Sequence, residues 1–336
     1  MRFTPRATVL IATAITGLAL AVPTMAAAAS ASSARGTAQA AQRCITVTAT
    51  IPVGSGPGGI AANPKTNTIY VGNFDSLTVS VISGRTSTVT ATIPVSAEPG
   101  GIAANPKTNT IYVTNLDSDL VSVISGRTNT VTATIPVGAE PLAVAADPKT
   151  NTIYVTTFNT VLVINGRTNT VTATIPVGNF AAAVAADPKT NTIYTANAAS
   201  STVSVINGRT NTVTATIPVG SFPDAVAADP KTSTIYTANQ RDDTVSVISG
   251  RTNTVTATIA VGLSPLAVAA DPKTKAIYVA NIEGTVSVIS GRTNTVTATI
   301  PVGHGPSGVA ADAKAKAIYV ANNASNTVSV LAACPK

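Results

Sequence analysis

Thr170-Val171-Thr172-Ala173-Thr174-Ile175-Pro176-Val177-Gly178 decides the fold, because this phrase returns with few changes along the whole chain. Its isoleucine falls at Ile51, Ile93, Ile135, Ile175, Ile217, Ile259 and Ile300, so successive steps are 42, 42, 40, 42, 42 and 41 residues. A fixed period of this length marks an array in which one supersecondary unit is copied and no copy buries its apolar face alone. Seven copies fill residues 45–331.

The third copy shows the unit. Residues 142–147 are short and apolar, and Pro148-Lys149-Thr150-Asn151 reads as a turn. Residues 152–156 are β-branched and aromatic, as strands prefer. A variable loop leads to a third apolar run at 161–164, and Asn165-Gly166 is a hairpin signal. Residues 170–175 alternate with period two, which predicts Val, Ala and Ile on a buried face and Thr on the other. Four short strands per repeat, tight turns and no helical period predict an all-β, seven-bladed β-propeller of four-stranded antiparallel blades.

The order of the strands predicts how the ring closes. A lone outer strand opens the array at residues 45–53, and the last copy stops after three strands, at 328–331. The N-terminal strand is therefore expected to complete the last blade. Cys44 and Cys334, the chain's two cysteines, then fall side by side, which predicts a disulfide; the alternative is two unrelated thiols. Two isolated cysteines lack the ligand spacing of a metal site. Proline follows the outer-strand isoleucine at Pro52, Pro94, Pro136, Pro176, Pro218 and Pro301, with Ala260 the exception. Proline cannot donate to a ladder, so it suits an edge and discourages edge-to-edge pairing.

Ahead of the array, Arg2 and Arg6 precede an apolar stretch at 7–22 and a small-residue region at 23–29. This pattern predicts a secretory signal peptide over 1–26, too short for a comfortable membrane span. A disordered leader is expected over 27–43 and the propeller domain over 44–334. No later segment approaches a transmembrane helix. Export would permit the disulfide.

The second strand of the repeat reads Ile111-Tyr112-Val113-Thr114-Asn115, with variants at 193–197, 277–281 and 318–322. All seven tyrosines, Tyr70, Tyr112, Tyr154, Tyr194, Tyr236, Tyr278 and Tyr319, occupy that one position. The repeat resembles the YVTN-family β-propeller repeat over the whole domain. The resemblance implies a secreted or cell-surface propeller used for binding or envelope structure, and it implies no single chemistry. The chain has no Trp and so departs from the Trp-Asp type of propeller repeat.

In an up-and-down blade, the turns after strands one and three share one face, and the loops after strands two and four share the other. The first set repeats almost unchanged; the second differs in every copy. Rigidly held variable loops are where binding residues concentrate. The variable face carries nine acidic residues, Asp75, Glu98, Asp117, Asp119, Glu140, Asp224, Asp242, Asp243 and Glu283, against Arg241. The repeated face carries nine lysines and Arg85, Arg127, Arg167, Arg209, Arg251 and Arg292, against Asp147, Asp187, Asp229, Asp271 and Asp312. Such a dipolar disc can steer cations to one side and polyanions to the other.

Candidate binding residues on the variable face are Phe74, Asp75, Phe158, Phe180, Phe222, Asp224, Arg241, Asp242, Asp243 and His304. The phenylalanines could equally plug gaps between blades. The six repeated arginines are candidates for weak polyanion or nucleic-acid contact, or simply solvate their turns. His304, the only histidine, is the one catalytic candidate, for a lactonase-like hydrolase or lyase, and it would need an acid partner in reach. No metal, phosphate-loop or nucleophile motif is present, and no cofactor is expected. The reading is a monomeric, non-enzymatic binding or scaffold propeller, secreted or envelope-associated, whose partner is a protein or an envelope polymer.

Overall fold

Residues 44–138 and 140–334 are described in a computed structural model; the signal peptide and leader expected over 1–26 and 27–43 lie outside the described residues. In the first blade, Pro57–Asn63, Thr68–Asn73, Thr78–Ser83 and Thr88–Pro94 run from innermost to outermost as an antiparallel meander. Blades two to six repeat this order. Each innermost strand packs against the innermost strands of both neighbouring blades, and the last packs on the first, so the ring is closed.

The seventh blade is built from both ends of the domain. Pro306–Asp312, Ala317–Asn322 and Thr327–Ala333 supply three strands, and Ile45–Pro52 is the fourth and outermost. The register runs antiparallel from Ile45 opposite Ala333 to Pro52 opposite Thr327. Just beyond it the Cys334 N–H donates to the Cys44 carbonyl at 2.8 Å. The two cysteines form a disulfide, with Cα atoms 5.3 Å apart and a sequence separation of 290.

The middle strands are buried almost end to end, because both faces of every blade pack on a neighbour. The core accordingly lies between blades. Tyr112, Val121 and Val123 of blade two meet Ile153, Val155 and Ile164 of blade three, and equivalent clusters fill the other interfaces. The repeated tyrosines span these interfaces. A Cβ on Gly84 of blade one would sit 3.0 Å from the Tyr319 hydroxyl of blade seven, and Gly250 and Gly291 stand in the same relation to Tyr194 and Tyr236. The glycine of the Gly-Arg-Thr turn is thus hemmed in from two sides, by the tyrosine of the preceding blade at these three positions and by the asparagine of its own blade's Pro-Lys turn at Gly84, Gly126, Gly166 and Gly208. Burial pushes the hydroxyls of Tyr70, Tyr154, Tyr194, Tyr236, Tyr278 and Tyr319 up to about 12, so they stay neutral at any ordinary pH.

Asn165-Gly166 opens a hairpin whose loop has four residues, 166–169, with Asn169 left-handed at φ 56°. Asn enters that region more readily than most residues, and Ser87, Asn129, Asn211, Asn253 and Asn294 hold the same place. One local expectation is corrected: the outer strand does not keep a simple alternation. Its pairing slips between Val81 and Ile82, leaving Thr90 as an extra residue whose hydroxyl donates to the Val81 carbonyl. This β-bulge leaves Val89 exposed at 37% while Ile93 is buried. Bulge and proline together blunt the outer edge of the blade.

Closing a loop this long removes much of the unfolded chain's freedom, with an upper limit of about 5–6 kcal/mol in the chain-entropy account. The double substitution Cys44→Ser/Cys334→Ser is therefore expected to lower the melting temperature while leaving the β-sheet circular dichroism unchanged. Peptide mapping without reductant should show the two cysteines linked. Free thiols, or a melting temperature indifferent to both substitutions, would contradict the clasp.

Candidate functional site

The variable face is held together by bonds between loops, some within a blade and some between neighbours. In blades one, four, five and seven the chain leading into the inner strand donates a backbone N–H to a side chain 21 residues further on. Ser55 donates to Ser76, Asn179 to Ser200, Ser221 to Asp242 at 2.6 Å, and His304 to Ser325. A neighbouring register uses carboxylates alone: Glu140 N–H donates to Asp119, and Ser264 N–H donates to Asp243 at 2.7 Å. Asp75 accepts from the Ser55 hydroxyl. Asp75, Asp242 and Asp243 are thus engaged in tying loops. Sequence reasoning missed that role, although the constant offset of 21 residues was available to find it.

The same ties bring four candidates together. Ala181 N–H donates to the Phe158 carbonyl, and Gln240 N–H donates to the Phe222 carbonyl. Phe158 meets Phe180 edge-on with ring centroids 6.0 Å apart, and Phe180 meets Phe222 at 5.9 Å. The Arg241 guanidinium lies 4.4 Å above the Phe222 ring, a cation–π contact. Phe158 is 51% exposed and Phe180 and Phe222 are half-buried, so the row crosses blades three, four and five with only its first ring fully in solvent. Phe74, in blade one, makes no ring contact among the described residues.

Phe180 and Phe222 hold this position against the preference of their own backbone. Both have φ 54°, and the equivalent residues in blades one and seven are Gly56 and Gly305. A bulky side chain in the left-handed region costs about 1–2 kcal/mol relative to ordinary backbone. Two aromatic rings stand where the turn would accept glycine.

Two residues beyond Phe222, Asp224 lies at the start of the inner strand of blade five, close to the ring axis. In the other blades that position holds Gly58, Gly100, Leu142, Ala182, Leu266 and Ser307. Asp224 is half-buried, and no hydrogen bond or cation reaches its carboxylate among the described residues. Burial pushes its carboxyl up to about 6. The imidazole of His304, by contrast, is exposed, and no carboxylate lies within hydrogen-bond reach of it among the described residues. The acid–histidine pair required by a hydrolase or lyase is not assembled. No group of three or more His, Cys, Asp or Glu is placed to hold a metal ion among the described residues.

On the repeated face all fifteen cations counted from sequence are exposed. The five aspartates counted against them are buried, each accepting the backbone N–H two residues on: Asp147 from Lys149, Asp187 from Lys189, Asp229 from Lys231, Asp271 from Lys273 and Asp312 from Lys314. The outer surface is therefore more uniformly cationic than the sequence count suggests. Shallow clefts open there between blades, one of about 230 Å³ lined by Tyr112, Ser125, Arg127 and Asn169.

No protein-family model matches the sequence, and no curated protein matches it. Among solved structures the chain is similar to Kuenenia stuttgartiensis hydrazine synthase, with a TM-score of 0.75 and 21% identity over 88% of this chain and 98% of that one. At that identity the likeness shows the propeller fold alone. No helix among the described residues is long and apolar enough to cross a membrane.

Asp224 gives a pH test with a definite sign. Its folded carboxyl titrates above the ordinary value of 3.8, at about 6, so the stability it contributes is complete below the ordinary value and is lost as pH rises through the folded one. At pH 7.5 the ionised group costs up to roughly 3 kcal/mol relative to a neutral isostere. Asp224→Asn is expected to melt several degrees above wild type at pH 7.5, with the two converging near pH 4. Equal melting temperatures at both pH values would show that this carboxylate is not desolvated.

Proposed function

We propose that this protein is a secreted, non-enzymatic binding or scaffold propeller of the cell envelope or extracellular space, engaging its partner through the variable-loop face. One observation carries the reading. That face bears a partly exposed aromatic row and an unpaired, desolvated carboxylate, both retained against local stability. Strain and unsatisfied charge concentrate where function requires them. The YVTN-type repeat, the signal-like segment over 1–26 and a disulfide suited to an oxidising compartment support the placement outside the cell. A hydrolase or lyase centred on His304 has less support, because its acid partner is missing.

The repeated face supports a second reading, weak polyanion binding. Fifteen exposed cations over buried aspartates give a one-signed surface. Each exposed contact is worth well under about 1 kcal/mol in ordinary salt, so affinity must come from many contacts and fall steeply as salt rises.

Two measurements check these readings. In a screen against envelope polymers and purified proteins, replacing residues 74–77 and 240–243 by neutral consensus residues should abolish whatever binding is found, while the β-sheet circular dichroism is retained and the melting temperature falls only by what the lost loop ties contribute. Binding that survives replacement of every variable loop would move the site elsewhere. On a heparin column the protein should elute at moderate salt, and charge reversal at Arg85, Arg127 and Arg167 should bring elution earlier. Elution indifferent to both would leave the basic turns as solvated scaffold.

A further inference from the structure

We infer that Asp224 and the rings of Phe180 and Phe222 form a receptor for the basic side chains of a protein partner, a lysine- or arginine-bearing segment laid across blades three to five. The inference rests on the proposed use of the variable face and adds the chemistry of the partner. It starts from an imbalance. The carboxylates of Asp75, Asp119, Asp242 and Asp243 each accept a hydrogen bond from an adjacent loop. Asp224 accepts none among the described residues, although unlike those four it sits on an inner strand, Pro223–Asp229, and is half-buried there. A half-buried carboxylate without a partner is completed by a cation that arrives from outside.

The groups beside it suit a cation attached to an apolar stem. Phe222 is two residues away on the same segment, and Phe180 is in ring contact with it. An aromatic face attracts ammonium and guanidinium groups, and Arg241 already demonstrates this on Phe222. Lysine and arginine carry aliphatic stems that would cover Phe158 while the charged head reaches a carboxylate. The nine acidic residues counted on this face would steer such a segment toward it.

The shape of the patch favours a protein segment over a free amine. The two centroid steps of 6.0 and 5.9 Å make a row longer than one small amine can cover. Phe158 projects from the surface and Phe180 is half-buried beside it, and the clefts described above open on the opposite face. A patch of standing aromatic rings beside charged groups has the composition of a protein interface.

The test uses the purified protein and a fluorescent hexalysine peptide at low salt, read by anisotropy, with spermine as competitor. Asp224→Asn, Phe180→Gly and Phe222→Gly are the site variants. Glycine is chosen because Gly56 and Gly305 hold the same left-handed position in other blades, so these variants should fold at least as well as wild type. Asp117→Asn is the comparison, since Asp117 is exposed on the same face and ties no loop. Each site variant is expected to weaken hexalysine binding about fivefold or more, with Asp117→Asn nearly unchanged and melting temperatures maintained. Equal losses from Asp117→Asn and Asp224→Asn, with none from the glycine variants, would overturn the site and leave only the charge of the face. Spermine binding as tightly as hexalysine would overturn the choice of a protein segment. Absence of any hexalysine binding would overturn the inference. The wider reading of the face is judged separately, by whether replacing its loops abolishes binding in the polymer and protein screen.

Discussion

Blades that touch only their neighbours leave two raw ends unless the first and the last share a sheet, and here the pairing of Ile45–Pro52 with Thr327–Ala333 removes both. Without it the seventh blade is a three-stranded sheet with an unpaired edge, and the interface between blades seven and one loses Ile51 from its core. Repeat stacks are stabilised mainly by nearest-neighbour contacts, so an open stack could fray from either end. The shared blade turns the stack into a ring in which fraying must first undo a four-stranded sheet. The disulfide adds a covalent limit to how far the ends can part.

Closure also explains why one face of the disc is monotonous and the other is not. Tyr319, Tyr194 and Tyr236 face the glycine of the next blade's turn, and the inner strands end in an aspartate or asparagine that caps its own turn. In blades one and two the capping residue also reaches onward, Asn63 to Asn109 and Asn105 to Asn151. Changing one such turn disturbs two blades. The loops on the opposite face are tied by bonds whose partners change from copy to copy, so their sequences can differ while the ring is kept. Repetition therefore supplies rigidity on one side and leaves the other free for recognition.

The architecture was legible in sequence because it is written in repetition: the period, the seven tyrosines, the edge prolines and the flanking cysteines each point to the same ring. What escaped the sequence is local geometry. The bulge at Thr90 depends on a side-chain bond to a neighbouring strand, and alternation alone cannot register an extra residue. The left-handed position fell to Asn169, four residues on from Asn165, because loop length rather than the Asn-Gly pair sets the turn. On the variable face, residue type identified the phenylalanines and acids, but only the fold separates Asp242 and Asp243, bound to backbone N–H groups, from Asp224, which has no such bond. The grouping of Phe158, Phe180 and Phe222 comes from three different blades, and no sequence window contains it.

Native-state hydrogen exchange tests the closed ring most directly. The measurement follows the amides of Ile45–Pro52 that point toward Thr327–Ala333, alongside those of the buried second strands such as Thr110–Asn115. Ring closure predicts that, in the oxidised protein, both sets exchange only through global opening and show the same free energy. Early exchange of the N-terminal strand, with the second strands still protected, would show that the first and last segments are merely adjacent and that the ring does not depend on their pairing.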